Sequence, residues 1–215
     1  MGDVKARLTL RDERAQVTRR RIADAARGLF RTRGYGATTL QAVAEEAGVA
    51  VQTVYAVYGS KAGILHELRD TVLRQPGAEA LYEDAMREIN GGRKLELFAS
   101  SIRRRWESGH DVVAIHRDAG ATDPTVRDEV EQVLSMRRRG IARLAQSMEG
   151  ELAPGTDVAH ATAVIDSLTL PEVYAELIEI GGWSADEFER WLATCLKDQL
   201  LLPARSRPAS ANRRR

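Results

Sequence analysis

Apolar residues recur along most of this chain at the three-and-four spacing of amphipathic helices, and the spacing is sharpest between Thr38 and Lys61. Leu40, Val43, Ala44 and Ala47 form one stripe. Gly48 follows it, and a glycine there suits the left-handed residue that closes a helix. A second stripe, Val51, Val54, Tyr55 and Tyr58, starts within about three residues. At about 100° per residue the opposite arc of that second helix holds Gln52, Thr53, Ala56 and Val57. Thr38 or Thr39 can cap the first helix, with Thr38-x-x-Gln41 the better capping-box fit. Two helices joined by a short glycine turn make the helix-turn-helix pattern, whose second helix enters the major groove of DNA. An ordinary helical hairpin in an all-α core gives the same stripes.

The rest of the chain reads as further helices. Before the pair, Ile22, Ala25, Ala26, Leu29 and Phe30 stripe a long helix that the Arg19-Arg20-Arg21 cluster opens. Cations at a helix amino terminus oppose the macrodipole, so phosphate or solvent must offset them. Residues 1–16 alternate charges and read as an arm, or as a helical extension from Thr9. After the pair, Ser60 looks like the cap of a helix running from Lys61 to about Gln75, with Ile64, Leu65, Leu68 and Val72 inward and Pro76-Gly77 as the stop. Lys61 in a first turn is favourable only with an anion nearby, which makes it a candidate phosphate seat.

Beyond residue 76 the stripes are Leu81 to Ile89, Leu95 to Trp106, a short segment 111–119, and a helix opened by Asp123-Pro124. A helix from about Thr156 to Ile180 should kink at Pro171. Ser184-x-x-Glu187 is a capping box opening a last helix striped by Phe188, Trp191, Leu192, Cys195, Leu196 and Leu200. The expected fold is all-α with roughly nine helices. Its expected organisation is an arm (1–16), a helix-turn-helix domain (17–75), a second helical domain (76–202) and a disordered basic tail (203–215).

Composition narrows the class. A chain of 215 residues with 5% aromatics and six prolines favours helices over sheets. A single cysteine, Cys195, excludes a disulfide framework within the chain and suits a reducing cytoplasm. No apolar run reaches the ~18 residues of a membrane span. The overall charge of +1 conceals an asymmetry: residues 1–75 carry +5, residues 76–202 carry −9 and residues 203–215 carry +5. A basic head on an acidic body is the footprint of a nucleic-acid binder.

The order Gly34-Tyr35-Gly36, Thr38-Thr39-Leu40, Val43-Ala44-Glu45-Glu46-Ala47-Gly48-Val49, Thr53-Val54-Tyr55, Tyr58-Gly59-Ser60-Lys61 and Ile64-Leu65 resembles the amino-terminal domain of the TetR family of transcriptional regulators, over roughly residues 18 to 73. Ala50, Ala56 and Val57 depart from that pattern, the first replacing a capping residue and the others replacing larger polar or aromatic side chains. The resemblance implies a cytoplasmic homodimeric regulator of double-stranded operator DNA, released by a small-molecule effector. The DNA-facing candidates are Thr39, Gln52, Thr53, Tyr55, Ala56 and Lys61. Two carboxy-terminal helices per subunit would form the dimer interface, with Leu168, Phe188, Trp191, Leu192, Leu196 and Leu200 as its candidates. Tyr82, Met86, Phe98, Trp106, His110, His116 and Tyr174 are candidates for a ligand pocket, though each also reads as ordinary core.

Catalytic and metal chemistry find no support in the sequence. His110 and His116 are six residues apart and face different sides of one helix, which matches no metal-ligand spacing. Glycine-rich phosphate loops, a nucleophile elbow and paired cysteines are all absent from the sequence, and no cofactor is expected. An enzyme or carrier with a helical pocket and a purely structural helical adaptor are the competing readings, and the basic first domain with its outward Gln-Thr-Ala-Val face speaks against both.

Overall fold

The structure, a computed structural model, describes residues 10–202, with side chains from residue 13. The basic tail and residues 1–9 of the arm lie outside it. Ten α-helices follow one another, and the described residues contain no β-strand, only an isolated bridge between Leu152 and Leu201. They are α1 (Leu10–Arg33), α2 (Leu40–Ala47), α3 (Val51–Tyr58), α4 (Lys61–Leu73), α5 (Pro76–Arg87), α6 (Gly91–Thr122), α7 (Pro124–Gln146), α8 (Val158–Leu168), α9 (Pro171–Ala175) and α10 (Ala185–Leu200).

Two differences from the sequence reading have plain causes, and one division holds. Helix α1 already begins at Leu10, so the extension wins over the loose arm, and Arg19-Arg20-Arg21 sit mid-helix, away from the positive end of the dipole. The segment 111–119 lies where the sequence separates it, in the second of the two helical stretches of α6, which meet at a kink at Gly109. The expected Thr156–Ile180 helix divides at Leu170-Pro171, because proline opens α9 at its first position and cannot continue α8. After α9 the chain makes one π-helical turn, Glu176–Ile180.

Two compact units emerge. One runs through Glu79 and also takes in Arg104–Met136; the other comprises Ala80–Arg103 and the chain from Arg137 onward. The first unit thus includes residues that the sequence reading gave to the second domain. Polar contacts explain their membership: Arg27 forks onto Asp111, the Tyr35 hydroxyl donates to Asp123 at 3.1 Å, and Arg69 donates to Glu129 at 2.6 Å. Its apolar core gathers Ile22, Ala26, Leu29 and Phe30 of α1, Val43, Ala44 and Ala47 of α2, Val54 of α3, and Ile64, Leu65 and Val72 of α4, all buried.

At Gly109, α6 lies against Val72 of α4. A Cβ there would lie 2.3 Å from Val72 Cγ2, inside any tolerable contact. Its backbone, at φ 174° and ψ 48°, is not helical and kinks α6 there. Side chains bond the carbonyls around the kink: Ser108 Oγ donates to Arg105 O at 2.7 Å, His110 Nδ1 meets Trp106 O at 3.0 Å, and Arg27 Nη1 donates to Ser108 O at 3.3 Å. Buried carbonyls left without donors would each cost about 1–3 kcal/mol, so these side chains make the kink tolerable.

In the second unit Phe98, Leu144, Met148, Ile165, Tyr174, Phe188, Leu192, Leu196 and Leu200 are buried together with smaller residues. Tyr174 meets Phe188 edge-on at 4.9 Å between ring centroids, and Trp191 stands 6.0 Å from Phe188 and 5.9 Å from Trp183. Helix α10 opens on the expected capping box, with Ser184 and Glu187 serving each other's backbone.

Candidate nucleic-acid interface

The helix-turn-helix forms where the sequence places it, with one change at the start. Thr39, not Thr38, caps α2: the Ala42 amide donates to Thr39 Oγ1 at 3.1 Å. Thr38 is buried and donates its hydroxyl to Gly34 O at 2.8 Å, so the better capping-box match is spent on the carbonyl four residues before it. Gly48 closes α2 in the left-handed region at φ 63°, and the Val49 amide then reaches back to Ala44 O at 3.0 Å. Ala50 is the N-cap of α3 with extended backbone (ψ 144°), and no side chain supplies its hydrogen bond.

The exposed face of α3 carries Gln52, Tyr55 and Ala56, while Thr53 and Val57 are half-buried and Val54 is fully buried. Tyr55 is therefore more outward than its place on the apolar arc implies: 55% of its surface is accessible. The first unit shows to solvent one amide side chain able to make two hydrogen bonds, one phenol and one methyl, all on a single helix face. That is the chemistry of base-edge readout in a major groove.

Lys61 is placed differently from its expected role. Its ammonium donates to three carbonyls, Tyr35 O at 2.6 Å, Thr38 O at 3.0 Å and Gly36 O at 3.4 Å, and it lies 4.2 Å from the centre of the Tyr35 ring. Three donors spent on the loop before α2 leave none for a phosphate. Burial lowers the Lys61 pKa, with Asp123 acting weakly against that. The bonds themselves close the loop that leads into α2.

The arginine cluster is likewise engaged. Arg19 forks onto Glu67 of α4 at 2.7 and 2.5 Å, which holds the Glu67 carboxyl below its usual range. Arg21 donates to Ala47 O, at the end of α2, at 2.6 Å. Tyr58, the last residue of α3, sends its hydroxyl to Arg19 O at 2.9 Å, and burial pushes its pKa up to about 12. Nothing in the helical pattern announces these pairings.

The remaining candidates divide between the units. Tyr82 donates to Gly140 O at 3.0 Å and packs edge-on against Phe98, and with Met86 and Tyr174 these residues sit in the second unit. Trp106, His110 and His116 are in the first, where His116 is buried and faces Glu129 at 3.5 Å. Of the proposed dimer residues, Phe188, Leu192, Leu196 and Leu200 have no accessible surface within the single chain. They cannot present an interface as they stand; their stripe faces the core of their own unit. Leu168 and Trp191 are half-exposed. The outer faces of α8 and α10 instead form a mainly apolar furrow of about 440 Å³, lined by Ala163, Val164, Ser167, Leu168, Cys195 and Gln199.

Residues 22–68 match the family model of bacterial regulatory proteins of the tetR family. The matched residues hold the helix-turn-helix. Solved structures extend the likeness in fold to the rest of the chain. NalD, a repressor from Pseudomonas aeruginosa, aligns at 22% identity and a TM-score of 0.66 over 88% of this chain and 98% of its own. PfmR of Thermus thermophilus, a TetR family transcriptional regulator, aligns at 22% identity and a TM-score of 0.66 over 82% and 96%. FadR of Bacillus subtilis, solved with stearoyl-CoA, aligns at 19% identity and a TM-score of 0.65 over 84% and 98%. None of the curated proteins compared matches the chain. Among the described residues no helix is long and apolar enough to cross a membrane.

Proposed function

We propose that the protein is a homodimeric transcriptional repressor that binds a palindromic operator and is released by a small-molecule effector. Residues 17–75 bind the DNA, and residues 76–202 hold the effector and the partner subunit. The observation that carries the reading is the exposed Gln52-Tyr55-Ala56 face on a helix held as the second member of a tetR-family helix-turn-helix. Gln52 suits the N6 and N7 edge of adenine, and Ala56 suits the thymine methyl group; α3 has no Arg or Lys for guanine. Each half-site is therefore read mainly through A·T pairs.

The effector reading draws on the neighbours. NalD is described as the secondary repressor of a multidrug efflux pump, and the Bacillus subtilis FadR holds stearoyl-CoA. Release is a population shift: the effector favours a subunit spacing that no longer fits two half-sites one helical turn apart. The furrow on α8 and α10 is the dimer face, since Val164 and Leu168 are half-exposed there while the inner stripe of α10 is already buried.

Two measurements test this. Selection of bound DNA from a random pool should return an inverted repeat with A·T pairs under each recognition helix; recovery of no preferred sequence would defeat the regulator reading. Val164→Glu with Leu168→Glu should sediment as a monomer and bind the selected repeat at least tenfold more weakly, because two linked half-sites supply avidity. An intact dimer in that variant would remove the furrow as the interface.

A further inference from the structure

The recognition helix is short and weakly self-supporting. It spans eight residues, carries no side-chain cap at Ala50, and buries only Val54 completely. An isolated helix of that length is not stable in water, so its orientation must come from what grips its two ends. Two arginines of α1 supply that grip. At the leading side, Arg21 reaches the last carbonyl of α2, Ala47 O, and its Nη2 lies 2.9 Å from where a Cβ on Gly48 would stand. The guanidinium is wedged onto the turn that launches α3. At the trailing end, Arg19 meets Tyr58 twice: its carbonyl accepts the phenol hydroxyl at 2.9 Å, and its guanidinium lies 4.8 Å from the ring centre. The same guanidinium forks onto Glu67 and ties this contact to α4. All three arginines are exposed, but only Arg19 and Arg21 spend their guanidinium groups on the protein; Arg20, between them, does not.

We propose that Arg19 and Arg21, with Tyr58 and Glu67, are positioning residues for DNA readout: they set the pitch of α3 and do not neutralise phosphates. The inference rests on the operator-binding reading above. It assigns the cluster Arg19-Arg20-Arg21 a division of labour, with the outer pair turned onto the helix-turn-helix and only the middle arginine left to the DNA backbone. A phosphate-contacting arginine and a positioning arginine differ in a measurable way. Loss of a phosphate contact weakens all DNA alike and lowers the salt dependence by about one unit per contact. Loss of a positioning contact lets α3 tilt, so base-edge contacts suffer while the backbone contacts and their salt dependence stay.

The test compares wild type, Arg19→Met, Arg21→Met and Tyr58→Phe on a selected operator and on random duplex DNA, at several salt concentrations. The full-length dimer is used, with circular dichroism confirming the helical content of each variant. Tyr58→Phe keeps the ring and its packing and tests the hydroxyl alone; Arg19→Lys and Arg21→Lys, which keep the charge and lose the fork, decide the matter should either methionine variant fail to fold. The expected result is a loss of about threefold per half-site, hence about tenfold in the ratio of operator to random-DNA affinity, with an unchanged salt slope and near-unchanged affinity for random DNA. A preserved ratio in Tyr58→Phe, or a salt slope reduced by about one unit per subunit in either arginine variant, would overturn the assignment. Should wild type itself show no preferred sequence, the operator reading falls and this inference with it, an outcome plainly distinct from a selective wild type with unaffected variants.

Discussion

Helices α3 and α10 are held by opposite means. Helix α10 has sixteen residues, starts on a reciprocal capping box, and buries Phe188, Leu192, Ala193, Leu196 and Leu200 along its own inner face. Helix α3 has half that length, an empty cap and one fully buried residue. Its surroundings do the holding, through cations and hydroxyls donated to backbone carbonyls: Lys61 on the loop before α2, Arg21 on the end of α2, and Tyr58 on α1. A helix fixed by its apolar face is indifferent to its exposed side chains. A helix fixed by polar contacts at its edges keeps a free outer face for recognition, and depends on groups that are distant in sequence.

That contrast can be broken first at Phe188. Phe188→Ala should lower stability by about 3–5 kcal/mol, the cost of emptying a fully buried aromatic site, while sedimentation at concentrations and temperatures where the variant stays folded still shows a dimer. A monomer of undiminished melting temperature would mean that Phe188 serves the partner subunit instead of its own core.

Lys61 gives the next largest effect. Lys61→Met removes the donor from three loop carbonyls and should cost about 1–3 kcal/mol. If the lysine were a phosphate contact, stability would hold and the salt dependence of DNA binding would drop instead, so denaturant melts and salt titrations of one variant separate the two roles. The smallest change sharpens the comparison from the other side. Ala50→Ser fills the vacant cap of α3 and should raise stability by about 1 kcal/mol, making the recognition helix a little more like α10. A lowered melting temperature would show that a serine hydroxyl at residue 50 cannot reach the amides of the first turn.

Much of this was legible before any coordinates. Val43, Ala44 and Ala47 of the first stripe and Ile64, Leu65, Leu68 and Val72 of the other are buried as their periodicity requires, with Leu40 half-buried, and Gly48, Asp123-Pro124 and Ser184-x-x-Glu187 mark the helix ends they announce. Local chemistry sets those features, so local sequence records them. The destinations of Lys61, Arg19 and Arg21 were hidden, because a long flexible cation chooses among carbonyls and carboxylates that only the tertiary fold assembles. The same limit misassigned the inner stripe of α10. Its apolar width shows that the face is covered, and the sequence cannot say whether the cover comes from the same chain or another. Thr38 illustrates the smallest scale of the problem: the better capping-box match was drawn into a buried bond to Gly34, and its neighbour Thr39 took the cap.

The contact between Gly109 and Val72 constrains how this lineage can drift. Any side chain at residue 109 must find room that the Val72 methyl now occupies, so a mutation there is tolerated only after residue 72 has become smaller or α4 has moved away. The two positions, 37 residues apart in the chain, therefore behave as one site under selection: among descendants, an alanine at 109 should travel with an alanine or glycine at 72, and the order in which the two changes arise is fixed as well.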